Sequence, residues 1–212
     1  VYRRYWARAF AGWPGFSSAQ PGPAHRALAA LEHAGVVHGL VTQNVDGLHQ
    51  RAGSRAVIDL HGRLDVVVCL GCGTRVNRHD LHTSLAEANA GWAPAFATAP
   101  DGDAEIDPAS VDAFVPPACA HCGGWMKPDV VFFGENVPAP VYASARDAVA
   151  TADALLVVGS SLMVYSGFRF VLQARDAGRP IAIVNRGYTR GDALATLKID
   201  ADIGQVLSGL RV

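Results

Sequence analysis

Charge is scarce in this chain. Only 17% of its 212 residues are charged, and the formal net charge is −1. Lys and Arg are spread along the sequence with no run of five, so the electrostatic footprint of a nucleic-acid binder is missing. No uninterrupted apolar stretch approaches the roughly 18 residues of a membrane span. The opening "VYRRYWARAF" is basic and aromatic but has neither the apolar centre nor the small-residue cleavage site of a secretion signal. There is no internal repeat and no low-complexity tract. These absences point to a soluble, intracellular protein with neither nucleic acid nor membrane as partner. What is present is a hydrophobic fraction of 50%, enough to fill a core. The length suits one large domain, or one domain with a small module.

Cysteine is also scarce, yet its placement is informative. The four cysteines form two pairs, Cys69-x-x-Cys72 and Cys119-x-x-Cys122. A two-residue gap lets both thiolates of a knuckle face one ion, and two knuckles complete a tetrahedral site. Gly71 and Gly73 in "CLGCG", and Gly123 and Gly124 in "CAHCGG", permit the turns such knuckles need. Structural disulfides are disfavoured inside a cell, and a redox dithiol would open a helix rather than precede Gly-Gly. The expectation is one structural Zn2+ with no open coordination position.

Along the chain, "PGPAHRALAALEHAG" reads as a helix with prolines at its start and Gly35 at its end. "VVHGLVTQN" and "AVIDLHG" read as short buried strands. Residues 77–117 form an irregular insertion, with a helix from His79 to Ala90 and then the Asp/Gly-rich loop "APDGDAEIDP". After the second knuckle come the strand-like "PDVVFFGE", a helix in "APVYASARDAVATA", a strand in "ALLVVGSS", a helix in "SGFRFVLQARDAG" and a strand in "RPIAIVNRG". Alternating apolar strands and helices predict a Rossmann-like, doubly wound parallel α/β sheet, with a small zinc-binding module inserted. The expected boundaries are 1–66 with 127–212 for the nucleotide-binding domain and 67–126 for the module.

The strands end in polar or small residues: Gln43, Asn44 and Asp46 in "TQNVD", Gly159, Ser160 and Ser161 in "GSS", and Asn185, Arg186 and Gly187 in "NRG". Ligands of doubly wound sheets bind beyond the carboxyl ends of strands, so three tips define one candidate edge. His61 follows "VIDL" and could act there as a general base. His49 has no such support and reads as structural.

"TQNVDGLHQRAG", "DLHG", the paired knuckles, "KPDVVFFGE", "VVGSSLMVYS" and "IAIVNRG" stand in the order found in sirtuins, the NAD-dependent protein deacylases, and the chain closely resembles that family over essentially its whole length. "RYWARAFAGWPGFSSAQPGPAH" with "GSSLMVYSG" is similar to the class II branch that includes the mitochondrial sirtuin four. The resemblance implies that Gln43, Asn44, Val45 and Asp46 line the nicotinamide and ribose pocket. Gly159, Ser160, Ser161, Asn185, Arg186, Gly187 and Ile203 would hold the adenosine half of NAD. His61, assisted by Asn44, would be catalytic. A substrate peptide would lie as an added strand between Val131, Phe132, Phe133, Gly134 and Glu135 on one side and the segment around Val164 on the other. Tyr5 and Arg8 match a Tyr-x-x-Arg pair that grips acidic acyl groups.

The implied reaction releases nicotinamide as the acyl oxygen of a modified lysine attacks the ribose. His61 then removes a proton from a ribose hydroxyl, and the products include O-acyl-ADP-ribose. The implied partner is an acylated-lysine protein or peptide, and the implied cofactors are NAD and Zn2+. ADP-ribosyl transfer or lipoamidase action are further activities of this branch. A monomer is expected, cytoplasmic in a bacterium or mitochondrial in a eukaryote. The family also carries a glycine-rich loop for the NAD diphosphate ahead of the first helix matched here, so the sequence reads as part of a longer protein or as a shortened one. The alternative function is a catalytically silent zinc- and adenosine-binding remnant. A zinc-ribbon nucleic-acid protein fits the cysteines but not the charge.

Overall fold

The computed structural model describes residues 1–98 and 104–210. The elements run α1 (Tyr2–Ser18), α2 (Pro23–His33), β1 (Leu40–Thr42), α3 (Leu48–Arg51), β2 (Val57–Asp59) and β3 (Gly62–Cys69). They continue with β4 (Arg75–Asn77), α4 (Arg78–Ala88), β5 (Phe96–Thr98), β6 (Ala104–Ile106), α5 (Pro108–Val111) and β7 (Met126–Val130). The last third holds α6 (Ala139–Thr151), β8 (Leu155–Val158), α7 (Tyr165–Asp176), β9 (Ile181–Val184), β10 (Leu197–Ile199) and α8 (Ile203–Ser208). They form two compact units: Val1–Ala19 with Gly62–Val130, and Gln20–His61 with Val131–Val212.

The first unit is built around the antiparallel sheet β4-β3-β7. Its core joins Trp6 and Ala7 of α1 to Val67, Cys69, Met126, Leu85 and Phe114. Residues 1–19 therefore pack with the cysteine module rather than with the nucleotide-type domain expected from sequence. The indole of Trp6 is 1% exposed and donates to the Met126 carbonyl at 3.1 Å, so both its surface and its polar atom are satisfied here. The crossings between units fall at residues 61/62 and 130/131, a few residues outside the expected 66/67 and 126/127. The start of "PDVVFFGE" also departs from expectation. It lies at the end of β7, which pairs antiparallel with β3 (Gly62↔Val130, Cys69↔Met126). The cause is local: β3 runs into the first cysteine knuckle and β7 runs out of the second, so the convergence of the two knuckles sets the strands in opposite directions. Gly62 has φ +78°, and a Cβ there would lie 2.0 Å from the Asp129 carbonyl oxygen; only glycine allows that pairing. The helix expected from His79 to Ala90 is α4, and β5 and β6 form a short antiparallel pair. Part of the "APDGDAEIDP" loop lies outside the described residues.

The second unit holds the parallel strands, in the orders β1-β2 and β10-β9-β8. Adjacent residues of β8 face opposite ways, as strand geometry requires. Val157 joins the core of Leu60, Ala145, Phe168, Val171, Ile181 and Ile183 beneath α6 and α7. Val158 packs against the cluster of Leu28, Leu31, Leu40 and Leu207 beneath α2 and α8. Both faces are covered, which is the doubly wound arrangement the sequence pattern predicts. Helix α7 buries Phe168, Val171 and Ala174 at spacings of three, and α2 buries Ala24, Leu28 and Leu31 at spacings of four and three. Each large apolar side chain buried this way contributes about 1.5–3 kcal/mol. Glycines in left-handed geometry follow both helices, Gly178 at φ +66° and Gly35 at φ +73°, where a continuing helix would not allow them.

Candidate active site and metal centre

In the first unit the four cysteines converge, with all four sulfurs within 4.8 Å of one another. Cys69 Sγ lies 3.5 Å from Cys122 Sγ, and Cys72 Sγ lies 3.7 Å from Cys119 Sγ. A tetrahedral zinc with Zn–S bonds of about 2.3 Å places its sulfurs about 3.8 Å apart, so the donor set fits that ion. The knuckles shape themselves. The Gly71 N–H donates to Cys69 Sγ at 3.3 Å, and a Cβ on Gly124 would come within 3.1 Å of both Cys69 and Cys122 Sγ. As thiols, Cys72 and Cys122 would titrate far apart. The Thr74 hydroxyl and backbone lower Cys72 to about 6. The Gly124 N–H favours the Cys122 thiolate, but proton sharing with Cys69 and Cys72 outweighs it and pushes that thiol up to about 12. Four sulfurs leave no ligand position open, so the centre is structural.

In the second unit a cavity of ≈ 760 Å3 opens beyond the strand tips. It brings together Gln43 from the end of β1, His61 after β2, Val131 to Glu135, Ser160 and Ser161 after β8, and Val164 before α7. His61 Nδ1 lies 3.0 Å from the Gln43 carbonyl oxygen. A carbonyl can only accept, so Nδ1 carries a proton, and in the neutral ring Nε2 presents the lone pair. That lone pair accepts from the Ser166 hydroxyl at 2.8 Å. The His61 carbonyl in turn accepts from Val131 N–H at 2.9 Å, tying the histidine to the start of the "VFFGE" segment.

Gln43 is held as firmly. Its Oε1 accepts from Ser160 Oγ at 3.2 Å, and its amide lies so close to α7 that a Cβ on Gly167 would stand 2.6 Å from it. Ser160 Oγ also accepts from Leu162 N–H at 3.2 Å. Leu162 is the non-glycine residue with positive φ, +59°, among the described residues, a conformation that costs free energy and concentrates at functional sites. Gly159 has φ +60° with Ile203 Cδ1 2.9 Å from where its Cβ would be, so the packing of Ile203 on the tip of β8 requires a glycine there, and neither residue is in the cavity lining.

Several sequence-predicted residues lie outside the cavity lining. Asn44, Val45 and Asp46 form the loop after β1, where Asn44 N–H donates to Thr42 Oγ1 at 3.1 Å and Asp46 Oδ1 accepts from Leu48 N–H at 2.9 Å. Asn185, Arg186 and Gly187 follow β9, where Gly187 N–H donates to Asp200 at 2.9 Å and Arg186 lies 3.4 Å from Asp202. Tyr5 and Arg8 belong to the first unit. Tyr5 packs edge-on to Trp6 with centroids 5.6 Å apart, and Arg8 Nε donates to the Ala104 carbonyl at 2.8 Å, which gives both a packing task. His49, read as structural, sits with its ring 4.7 Å from His25; burial and then that neighbour lower its pKa. Sequence reasoning missed Ser166, Gly167, Tyr142 and Arg169. The first turn of α7 read only as a helix start, and nothing in its spacing announces that it faces His61 and Gln43.

Among the described residues, no helix is long and apolar enough to cross a membrane. Residues 2–166 match the Sir2 family. An NAD-dependent protein deacetylase of Xanthomonas campestris pv. campestris (strain 8004) is 57% identical over 210 residues, covering 99% of this chain and 72% of that protein. The NAD-dependent protein lipoamidase sirtuin-4 of Bos taurus, a mitochondrial protein, is 50% identical over 208 residues, covering 98% of this chain and 66% of that one. Among solved structures, a Sir2 protein with a p53 peptide and NAD+ superposes with a TM-score of 0.75 at 33% identity, covering 91% of this chain and 70% of the other. A Sir2 protein bound to an acetylated peptide gives 0.81 at 31% identity, covering 97% and 75%. With the paired strand tips, the cysteine cluster and these likenesses in place, the chain belongs to the Sir2 family.

Proposed function

We propose that the protein is an NAD-dependent protein-lysine deacylase, acting on an acylated-lysine protein or peptide. The observation that carries this reading is the placement of His61: Nδ1 is held by the Gln43 carbonyl and Nε2 by the Ser166 hydroxyl, on the wall of the cavity that Gln43, Ser160 and Ser161 also line. NAD, when bound, supplies the ribose that accepts the acyl group as nicotinamide leaves. The chain's own residues do the rest. Gln43, braced by Ser160 and Gly167, fixes the wall against which the ribose rests. His61 Nε2 takes a proton from a hydroxyl, and such help is worth on the order of 10²–10⁴ in rate. Ser166 holds Nε2 in place until that hydroxyl replaces or relays through it.

Val131 to Glu135 and Ser161 to Tyr165 form the two banks of a peptide slot, whose exposed rim includes Phe133, Met163 and Val164. Apolar exposure of this kind suits strand addition by a peptide. Asn44, Val45, Asp46, Asn185 to Gly187 and Ile203 complete the NAD surface, and Zn2+ at Cys69, Cys72, Cys119 and Cys122 holds the first unit together. The bacterial relatives and the mitochondrial bovine one favour a cytoplasmic or mitochondrial location. Incubation with NAD and an acetyl-lysine peptide should yield nicotinamide and O-acetyl-ADP-ribose in equal amounts by mass spectrometry. Nicotinamide without the acylated product would instead mean NAD hydrolysis or ADP-ribosyl transfer.

A further inference from the structure

The cavity contains a cation that the proposed chemistry does not use. Arg169 lies in the second turn of α7, and its guanidinium stands 4.5 Å from the ring centroid of Tyr142 on α6 and 5.2 Å from that of Tyr165. Both rings and the guanidinium line the same cavity as His61. Among the described residues Arg169 has no carboxylate or carbonyl partner, unlike Arg63, Arg75, Arg146, Arg175 and Arg186, which pair with aspartates. The carboxylate in the cavity lining, Glu135, is turned to its own loop, where it accepts from Phe132 N–H at 2.9 Å. The aromatic faces hold the guanidinium plane and leave its N–H edges to donate. An unpaired, half-buried arginine so held matches a carboxylate, which it can take in a bidentate fork.

Position says which carboxylate. Ser166 and Gly167 turn towards His61 and Gln43, whereas Tyr165 and Arg169, four residues apart, share another face of α7 that looks to α6. Tyr165 also ends one bank of the peptide slot, so Arg169, held against its ring, stands at that end of the slot. We propose that Arg169 binds the acidic side chain of a residue flanking the acyl-lysine, making the protein selective for acidic sequence around its target. This rests on the deacylase reading for the identity of the slot.

The test compares acetyl-lysine peptides carrying Glu or Gln at successive positions on either side of the lysine, by kcat/KM and separately by fluorescence-polarisation binding. At one position Glu should be favoured about five- to tenfold. Arg169→Gln should erase that ratio, Arg169→Lys should keep part of it, and salt should reduce it. The proposal is overturned if turnover occurs with no Glu preference, or if the preference survives Arg169→Gln. It is also overturned if Arg169 matters only for a glutaryl-lysine in a neutral peptide, which would place the carboxylate on the acyl tail. Glu-dependent binding without turnover would sink the enzyme reading and leave Arg169 in its role. Absence of all binding and turnover would overturn both.

Discussion

The two units of this protein build their sites in opposite ways. In the first, two knuckles made of consecutive residues carry all four ligands, and local backbone geometry already aims the sulfurs at one point. In the second, the cavity takes Gln43, His61, Ser160 and Ser166 from three strand ends and a helix start, and none of these residues means much alone. A local site is written in spacing; a distributed one is written in topology. The first would draw its stability from the zinc its four sulfurs are placed to hold, while the second depends on a fold that must already be stable.

The most drastic way to test that contrast is Cys119→Ser. Structural zinc contributes about 10–16 kcal/mol in small metal modules, comparable with the whole stability of a typical domain, about 5–15 kcal/mol. The variant should lose its single zinc by elemental analysis and unfold the first unit by circular dichroism. A cooperatively folded, metal-free variant would break the contrast.

Gly167→Ala probes the second site at the point where sequence was least informative. Overpacking against Gln43 should cost about 1–3 kcal/mol, offset by about 1 kcal/mol of better helix propensity. Net destabilisation by urea titration should therefore be small, at most about 2 kcal/mol, while NAD affinity falls measurably. A loss of affinity no larger than that of a surface glycine would show that Gln43 does not need this wall.

Ser166→Ala removes one neutral hydrogen bond to His61, worth about 0.5–1.5 kcal/mol. Acyl transfer should slow about two- to tenfold, with Ser166→Thr restoring part of it. Nicotinamide exchange, which precedes the base's action, should change less. Equal losses in both steps would reduce Ser166 to packing.

The smallest effect concerns the loop after β9. The Lys198 ammonium, then the Thr189 hydroxyl, hold the Asp192 carboxyl at about 2 against its usual 3.8, with Lys198 Nζ 2.8 Å from Asp192 and also 2.8 Å from the Gly187 carbonyl. Because the folded value is depressed, this stabilisation is present above about pH 4 and is lost as pH falls from there towards 2. Asp192→Asn should be less stable than the wild type at pH 7, and that difference should shrink across this window in urea melts. A difference independent of pH would contradict the ion pair.

The legibility of the sequence follows the same division. The knuckles, the helix–strand alternation and the polar tips of β1, β8 and β9 could be read because spacing and periodicity carry them. The role of β7 could not, because its alternating "MKPDV" reads together with the apolar residues that follow it, and its partner strand lies more than fifty residues earlier in the chain. The placement of α1 with the cysteine unit is decided by Trp6 finding Met126 and Val67 across more than sixty residues of chain. Ser166, Gly167 and Arg169 were hidden for another reason: a helix start has no spacing signal for what its first two turns face.

The most direct test of the account is the deacylation rate of His61→Ala protein that carries its zinc and melts with the wild type. A fall of about 10²–10⁴ in turnover, with metal content and melting unchanged, would separate a chemical site in one unit from a structural one in the other. Wild-type turnover in that variant would contradict the assignment of His61 as the base.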